Sequence, residues 1–282
     1  MRAKKSLGQH FLKSERALNL IVETGNIREN ETVLEIGPGM GALTEKLLAT
    51  GCQVLAIEKD DELFDLLKQK YEKEISSSKL ILIHGDILNF EPTTYNLTAK
   101  SYKLISNIPY NLTGIIIKKF LETDSQPEKI VLLVQKEVAE RIVSKPHFAK
   151  ASRGKESILS ISVKVYGTPK YIEAVKAGSF VPAPKVDSAI ISIENISKNF
   201  FKTMVVSKPG VDRFDEKGFF EMVRAGFKSK RKKLSSNLST IFPKERVEEA
   251  FEKLNLDKNL RAEDVHLNIW QKLAKILLPK NK

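Results

Sequence analysis

Asn107-Ile108-Pro109-Tyr110 puts an amide, a main-chain carbonyl and an aromatic ring within four consecutive residues. The Asn107 side-chain oxygen and the Ile108 carbonyl can accept both N–H bonds of an exocyclic amine while the Tyr110 ring stacks on the attached heterocycle. An amine held this way is nearer tetrahedral, and its lone pair points at an incoming electrophilic carbon. Positioning and preorganised dipoles then do the catalysis, with no strong base needed. The chemistry this implies is alkylation of an amino nitrogen on a base. Phe180, in Phe180-Val-Pro-Ala-Pro-Lys-Val186, is a second candidate aromatic clamp, presented by a loop that two prolines stiffen. A four-residue motif is by itself equally well a turn with a buried tyrosine, so an alkylating reading needs a cofactor site as well.

That site is suggested upstream by Glu35-Ile36-Gly37-Pro38-Gly39-Met40-Gly41. Glycines 37, 39 and 41 let the backbone turn tightly and approach a ligand. A strand-like run precedes the turn, a helix-like run follows, and Glu58 stands about 20 residues on, where a carboxylate can hydrogen-bond both ribose hydroxyls. The spacing is shorter than the G-x-G-x-x-G that sets a pyrophosphate against a helix N-terminus. It favours a cofactor with adenosine and ribose but no pyrophosphate, namely S-adenosyl-L-methionine. Asp86, after the next strand, is placed to accept from the adenine amine. Carboxylates at strand ends also serve as helix caps, and Glu58 or Asp86 alone reads equally well that way. Both together with the turn do not.

The elements that must position these groups alternate between strand and helix, which predicts an α/β fold with a mostly parallel sheet. A helix is expected over 15–24, strands over 32–36, 53–57, 79–83 and 102–105, and helices over 42–50 and 60–75. In such sheets ligands bind beyond the carboxyl ends of the strands, so Gly37, Glu58, Asp86 and Asn107 should gather at one edge. Residues 129–134 read as a strand and 136–143 as a helix, whereas 157–165 and 188–193 are apolar runs. The pattern then turns helical, over 219–227, 245–254 and 265–278. The expected domains are 1–197, catalytic, and 198–282, helical.

The chain has 282 residues and 41% hydrophobic content, enough for a substantial core. One cysteine, Cys52, excludes an internal disulfide framework, and four scattered histidines show no metal-ligand spacing. No run reaches the ~20 apolar residues of a membrane span, nor is the basic N-terminus followed by a signal-peptide stretch; a soluble, cytoplasmic protein is expected. The net charge of +12 is uneven: residues 198–282 hold 20 Lys and Arg against 11 Asp and Glu. A strongly basic protein commonly meets a polyanion, here nucleic acid. Arg224, Lys228, Lys230, Arg231, Lys232 and Lys233 form an acid-free cluster suited either to a solvated helix face or to RNA phosphates.

Taken in order, Leu7-Gly-Gln-His-Phe-Leu12, the Glu35–Gly41 turn, Ile57-Glu58, Gly85-Asp86, Asn107-Ile-Pro-Tyr-Asn111, Val134-Gln-Lys-Glu-Val-Ala139, Phe180-Val-Pro-Ala-Pro-Lys-Val-Asp-Ser188 and Phe227-Lys-Ser-Lys-Arg-Lys-Lys-Leu234 resemble the small-subunit ribosomal RNA adenine dimethyltransferases, often called the KsgA family. The resemblance runs nearly end to end. It implies a class I methyltransferase fold with a small C-terminal helical domain. The implied reaction is N6,N6-dimethylation of two adjacent adenosines in the loop of the 3′-terminal helix of small-subunit rRNA, within a pre-30S-like particle and in small-subunit biogenesis. It also implies cofactor contacts at His10, Leu12, Gly37, Glu58, Asp86 and Asn107, joined by Gln9, Gly39 and Gly41. Asn107, Ile108, Pro109 and Tyr110 fall in the family's catalytic motif, and Phe180 in its base-stacking loop. No metal is implied, and a monomer is expected. The stretch 144–157 departs from the family in being longer and more basic. Two other readings are a large-subunit rRNA adenine methylase of the macrolide-resistance type, which shares the Asn-Ile-Pro-Tyr-like motif and the proline loop, and a non-enzymatic assembly factor with a vestigial pocket. Gln135-Lys-Glu137 and the basic 224–233 region favour the small-subunit enzymes over the first, and the intact site residues weigh against the second.

Overall fold

The computed structural model describes residues 9–144, 155–202 and 216–278. Most of the basic stretch, residues 145–154, lies outside them. Two compact units are present, one of residues 1–140 and 167–196, the other of 141–166 and 197–282. The chain passes into the second unit at residue 197 and also between 141 and 166, a segment the sequence reading had placed within 1–197.

The first unit begins with β1 (Phe11–Leu12), α1 (Glu15–Gly25), β2 (Thr32–Ile36) and α2 (Ala42–Leu48). It continues through β3 (Gln53–Glu58), α3 (Asp61–Lys70), α4 (Glu72–Ser76), β4 (Leu80–His84), β5 (Tyr102–Asn107) and α5 (Thr113–Glu122). Next come β6 (Lys129–Gln135) and α6 (Lys136–Val143), whose last residues enter the second unit with α7 (Ile158–Tyr166). β7 (Thr168–Val175), β8 (Phe180–Val181) and β9 (Ser188–Glu194) complete the first unit. The second continues with α8 (Asn199–Lys202), α9 (Glu216–Gly226), α10 (Leu234–Leu238), α11 (Lys244–Lys253) and α12 (Leu267–Leu277).

Seven strands form one sheet in the order β4-β3-β2-β5-β6-β9-β7, parallel from β4 to β6, with β9 antiparallel to both its neighbours. The strand order reverses between β2 and β5. Val33, Leu34, Val54, Leu104 and Ile105 are completely buried, as central parallel strands covered on both faces must be. The α1 helix is capped by Ser14, whose hydroxyl accepts from the Ala17 N–H, and buries Ala17, Leu18 and Ile21.

One expectation changes, and one strand was not anticipated. The helix expected over 60–75 starts after Asp60, whose carboxylate accepts from the Glu62 and Leu63 N–H groups as an N-cap, and it breaks at Tyr71. The break lets the buried Tyr71 hydroxyl donate to the Gly41 carbonyl at 2.7 Å. β7 had no clear signal, because Pro169, Lys170 and Glu173 blur its alternation and the ladder slips between Tyr171 and Glu173.

In the second unit α9 buries Phe219, Phe220, Met222 and Val223, and Trp270 of α12 is fully buried and stacked on Phe227. Among the described residues no helix is long and apolar enough to cross a membrane, and no cluster of His, Cys, Asp and Glu could hold a metal.

Gly41 has φ +81°, and a Cβ there would lie 2.7 Å from the Tyr71 hydroxyl. The left-handed backbone alone costs an L-residue about 1–2 kcal/mol, and Tyr71 would have to move as well. Gly41→Ala is therefore expected to lower the thermal midpoint by several degrees in a melting curve; an unchanged midpoint would count against this packing role.

Candidate active site

The carboxyl ends of β2, β3, β4 and β5 border a cavity of about 520 Å³, within the range of small-molecule sites. Gln9, His10, Leu12, Gly37, Gly39, Glu58 and Asp86 line it, with Asn107, Ile108, Pro109 and Tyr110. Two predicted residues are not on its wall. Gly41 packs under Tyr71 instead. Phe180 pairs with Leu12 in the β1–β8 ribbon and is 2% exposed, joining the core that contains Leu12, Leu18 and Val175. Consecutive strand residues point to opposite sides, and Val181 and Pro182 line the cavity in its place. The expected stacking role of Phe180 is not supported by this placement.

The glycine turn leaves β2 with Gly37 and Gly39 at φ +62° and +63°. A Cβ at Gly37 would meet nothing within 4 Å, so its bare backbone faces open space. At Gly39 a Cβ would crowd the Phe11 ring at 3.0 Å.

Glu58, 5% exposed, accepts three backbone N–H bonds: Lys59 and Asp60 on Oε1, both at 2.9 Å, and Gly39 on Oε2 at 3.1 Å. Burial pushes its carboxyl above the usual range, and those three bonds oppose the shift. A carboxylate has about four lone-pair sites, so about one remains, on Oε2.

Asp86 accepts from the Leu88 N–H at 2.9 Å and from Lys59 Nζ at 2.8 Å. The Lys59 ammonium, and then the Leu88 N–H, hold its carboxyl below the usual range. Glu35 is fully buried and accepts from the Thr44 hydroxyl at 2.7 Å. Burial drives its pKa up to about 8, and the neighbouring Glu58 charge adds to the rise.

Asn107 donates through Nδ2 to the His10 carbonyl at 3.2 Å, which leaves its amide oxygen as the end available to a ligand. The half-buried Tyr110 is fixed by a 2.6 Å hydrogen bond between its hydroxyl and that of Ser188, and its ring stacks on His10. Gln9 donates to Asp60 at 3.2 Å, tying the N-terminal segment to the cap of α3.

The basic cluster belongs to the second unit. Arg224 lies in the last turn of α9, whereas Lys228, Lys230, Arg231, Lys232 and Lys233 occupy the turn before α10 rather than a helix face; all six are exposed. The helix stops because Gly226 packs under Trp270 and the buried Asn237 side chain donates to the Gly226 and Ser229 carbonyls at 2.7 and 3.1 Å.

The model of the family described as ribosomal RNA adenine dimethylase matches residues 1–278. The chain belongs to this family. Proteins named ribosomal RNA small subunit methyltransferase A are similar to it: that of Dehalococcoides mccartyi is 37% identical over 97% of this chain and 88% of its own. That of Trichormus variabilis is 38% identical over 98% of both. A dimethyladenosine transferase from Plasmodium falciparum superposes with TM-score 0.75 at 25% identity over 95% of this chain and 99% of its own. The 23S rRNA methyltransferase ErmE shares the fold, with TM-score 0.70 at 24% identity over 94% of this chain and 99% of that one. The fold is thus that of the class I methyltransferases, and this dimethylase uses S-adenosylmethionine as methyl donor.

The residues present fit that donor, since Gly37 offers a bare backbone, Glu58 keeps an acceptor and Asp86 stands at the next strand end. Sequence reasoning missed Lys59, Glu35 with Thr44, Ser188 and Pro182. Glu35, Pro182 and Ser188 stand within motifs already named, and Lys59 stands between two acidic residues at a strand end.

Because the folded pKa of Glu35 lies above the ordinary carboxylate value of 4.5, its contribution to stability is complete below that value and is lost as pH rises toward about 8. Glu35→Gln is therefore expected to flatten the fall in thermal midpoint between about pH 5 and pH 8. Parallel midpoint curves for variant and wild type would refute the assignment.

Proposed function

We propose that this dimethylase converts two adjacent adenosines in the loop of the 3′-terminal helix of small-subunit rRNA to N6,N6-dimethyladenosine, acting in the cytoplasm as a monomer on a pre-30S-like particle. The names of the Dehalococcoides and Trichormus relatives support the choice of subunit. The observation that carries the chemistry is the hydrogen bond from Asn107 Nδ2 to the His10 carbonyl, because it commits the Asn107 oxygen to accepting.

The adenine amine is a poor nucleophile because its lone pair is delocalised into the ring. Asn107 Oδ1 and the Ile108 carbonyl accept hydrogen bonds from its N–H groups, and Tyr110 holds the ring plane. The same two dipoles stabilise the positive charge that grows on the nitrogen. S-Adenosylmethionine, when bound, supplies an electrophilic sulfonium methyl; Gly37, Gly39, Glu58 and Asp86 are the residues to hold it. A base inside a helix would first have to be unstacked, which favours a loop target. In the second unit, the basic turn from Arg224 to Lys233 meets phosphates, which position RNA without reading its sequence.

Methyl transfer from labelled S-adenosylmethionine to unmethylated small subunits and to large-subunit rRNA, followed by nucleoside analysis, tests the reading. N6,N6-dimethyladenosine is expected in small-subunit RNA alone, and label confined to the large subunit would overturn it. Asn107→Ala should lose about 10²–10³ in kcat while its affinity for S-adenosylhomocysteine stays within a few-fold; near-normal turnover would refute the gripping mechanism. Charge reversal at Arg231 and Lys232 should weaken RNA binding and flatten its log–log salt slope by about 0.7–0.9 for each phosphate no longer neutralised, leaving cofactor affinity intact.

A further inference from the structure

His10 is joined to the reacting motif and to the proline loop at once. Its main-chain carbonyl accepts from Asn107 Nδ2 at 3.2 Å. Its ring stacks on Tyr110 with centroids 5.8 Å apart and planes 21° from parallel. Its Nδ1 lies 2.8 Å from the Pro182 carbonyl. A carbonyl only accepts, so Nδ1 carries the proton in this hydrogen bond.

The two ends of an asparagine amide are nearly equal in shape and opposite in hydrogen-bonding sense. If the NH₂ end faced the target amine, two donors would oppose each other and the lone pair would not be directed. A main-chain carbonyl at the other end binds only the NH₂ and so settles the orientation. That carbonyl belongs to a short segment ahead of a two-residue strand, and its own position needs a fixed point. The Pro182 carbonyl supplies one through the His10 ring, on the far side of the β1–β8 pairing of Phe11 with Val181.

We propose that His10 is a positioning residue for methyl transfer: the tether from its ring N–H to Pro182 holds its carbonyl against Asn107, and this keeps the Asn107 oxygen turned toward the amine. The inference rests on the reading of Asn107 as the amine-gripping group. It goes beyond a cofactor contact, because it assigns His10 an effect on kcat and on a side chain that is measurable in the cofactor-free protein.

The test compares His10→Ala, His10→Asn and His10→Phe. Asparagine can place an N–H near the position of Nδ1 without the ring, whereas phenylalanine keeps a ring for Tyr110 without the donor. His10→Ala is expected to lower kcat about tenfold or more, with the Kd for S-adenosylhomocysteine, read by calorimetry, changed less than about threefold. His10→Asn should recover most of the loss and His10→Phe little of it. In ¹⁵N spectra of the cofactor-free protein, the Asn107 side-chain amide, assigned by its disappearance in Asn107→Ala, should shift and exchange faster in His10→Ala and His10→Phe.

A His10→Phe variant as active as His10→Asn, an unmoved Asn107 amide, or an affinity loss larger than the kcat loss would each overturn the proposal. If His10→Ala does not fold, the Asn and Phe variants carry the comparison alone. Full activity of Asn107→Ala would sink the underlying reading instead, and so separates the two failures.

Discussion

The groups around the first unit's cavity are where they are because the strand order reverses between β2 and β5. From β2 the chain winds outward through β3 and β4, then returns to pair β5 with the other side of β2. The crossovers leaving neighbouring strands then go to opposite sides, and a crevice opens at the carboxyl ends between them. The glycine turn after β2 and the Asn107 motif after β5 stand on either side of that crevice, with Glu58 and Asp86 next in order along the sheet edge. A transfer reaction needs donor and acceptor on facing sides, and on the proposed reading this topology provides those two sides.

Placing carboxylates at such an edge carries a desolvation cost, and the structure meets it differently for each. Glu58 is satisfied by backbone N–H groups from the glycine turn and from the approach to α3, so the loops that shape the cavity also hold its carboxyl group. Asp86 is partly open to solvent and paired with Lys59. Glu35, held by a hydroxyl rather than a cation, stays protonated at neutral pH. The cavity edge thus carries graded acidity, with Asp86 held below the usual carboxylate range by Lys59 and Glu35 pushed above it by burial.

Much of this architecture was legible in the sequence, for identifiable reasons. Val33-Leu-Glu-Ile36 and Val54-Leu-Ala-Ile57 are buried on both faces, and buried parallel strands give nearly unbroken apolar runs that need no tertiary knowledge to find. Glycines at positive φ are equally visible. What was not legible depends on long-range packing. Gly41 belongs to the same turn as Gly37 but serves Tyr71, a partner that no local pattern names. Phe180 reads as an exposed clamp until its pairing with Leu12 turns it into the core. The Arg224–Lys233 cluster looks like a helix face, because the break at Gly226 is imposed by Trp270 and Asn237 from elsewhere in the second unit.

The division of labour between the two units follows from what each kind of interaction can encode. Amine geometry needs an acceptor held in place to a fraction of an ångström, and the first unit builds that from buried strands with an N-terminal segment locked onto them. Phosphate binding tolerates looser geometry, because the attraction is long-ranged and carries no sequence information. The six exposed cations stand on and beside a turn that Asn237 braces, its side chain donating to the Gly226 and Ser229 carbonyls, and on the proposed reading such a turn is enough. The acceptor geometry of the first unit in turn depends on a tether of very few atoms, running from Pro182 through the His10 ring and carbonyl to the Asn107 amide.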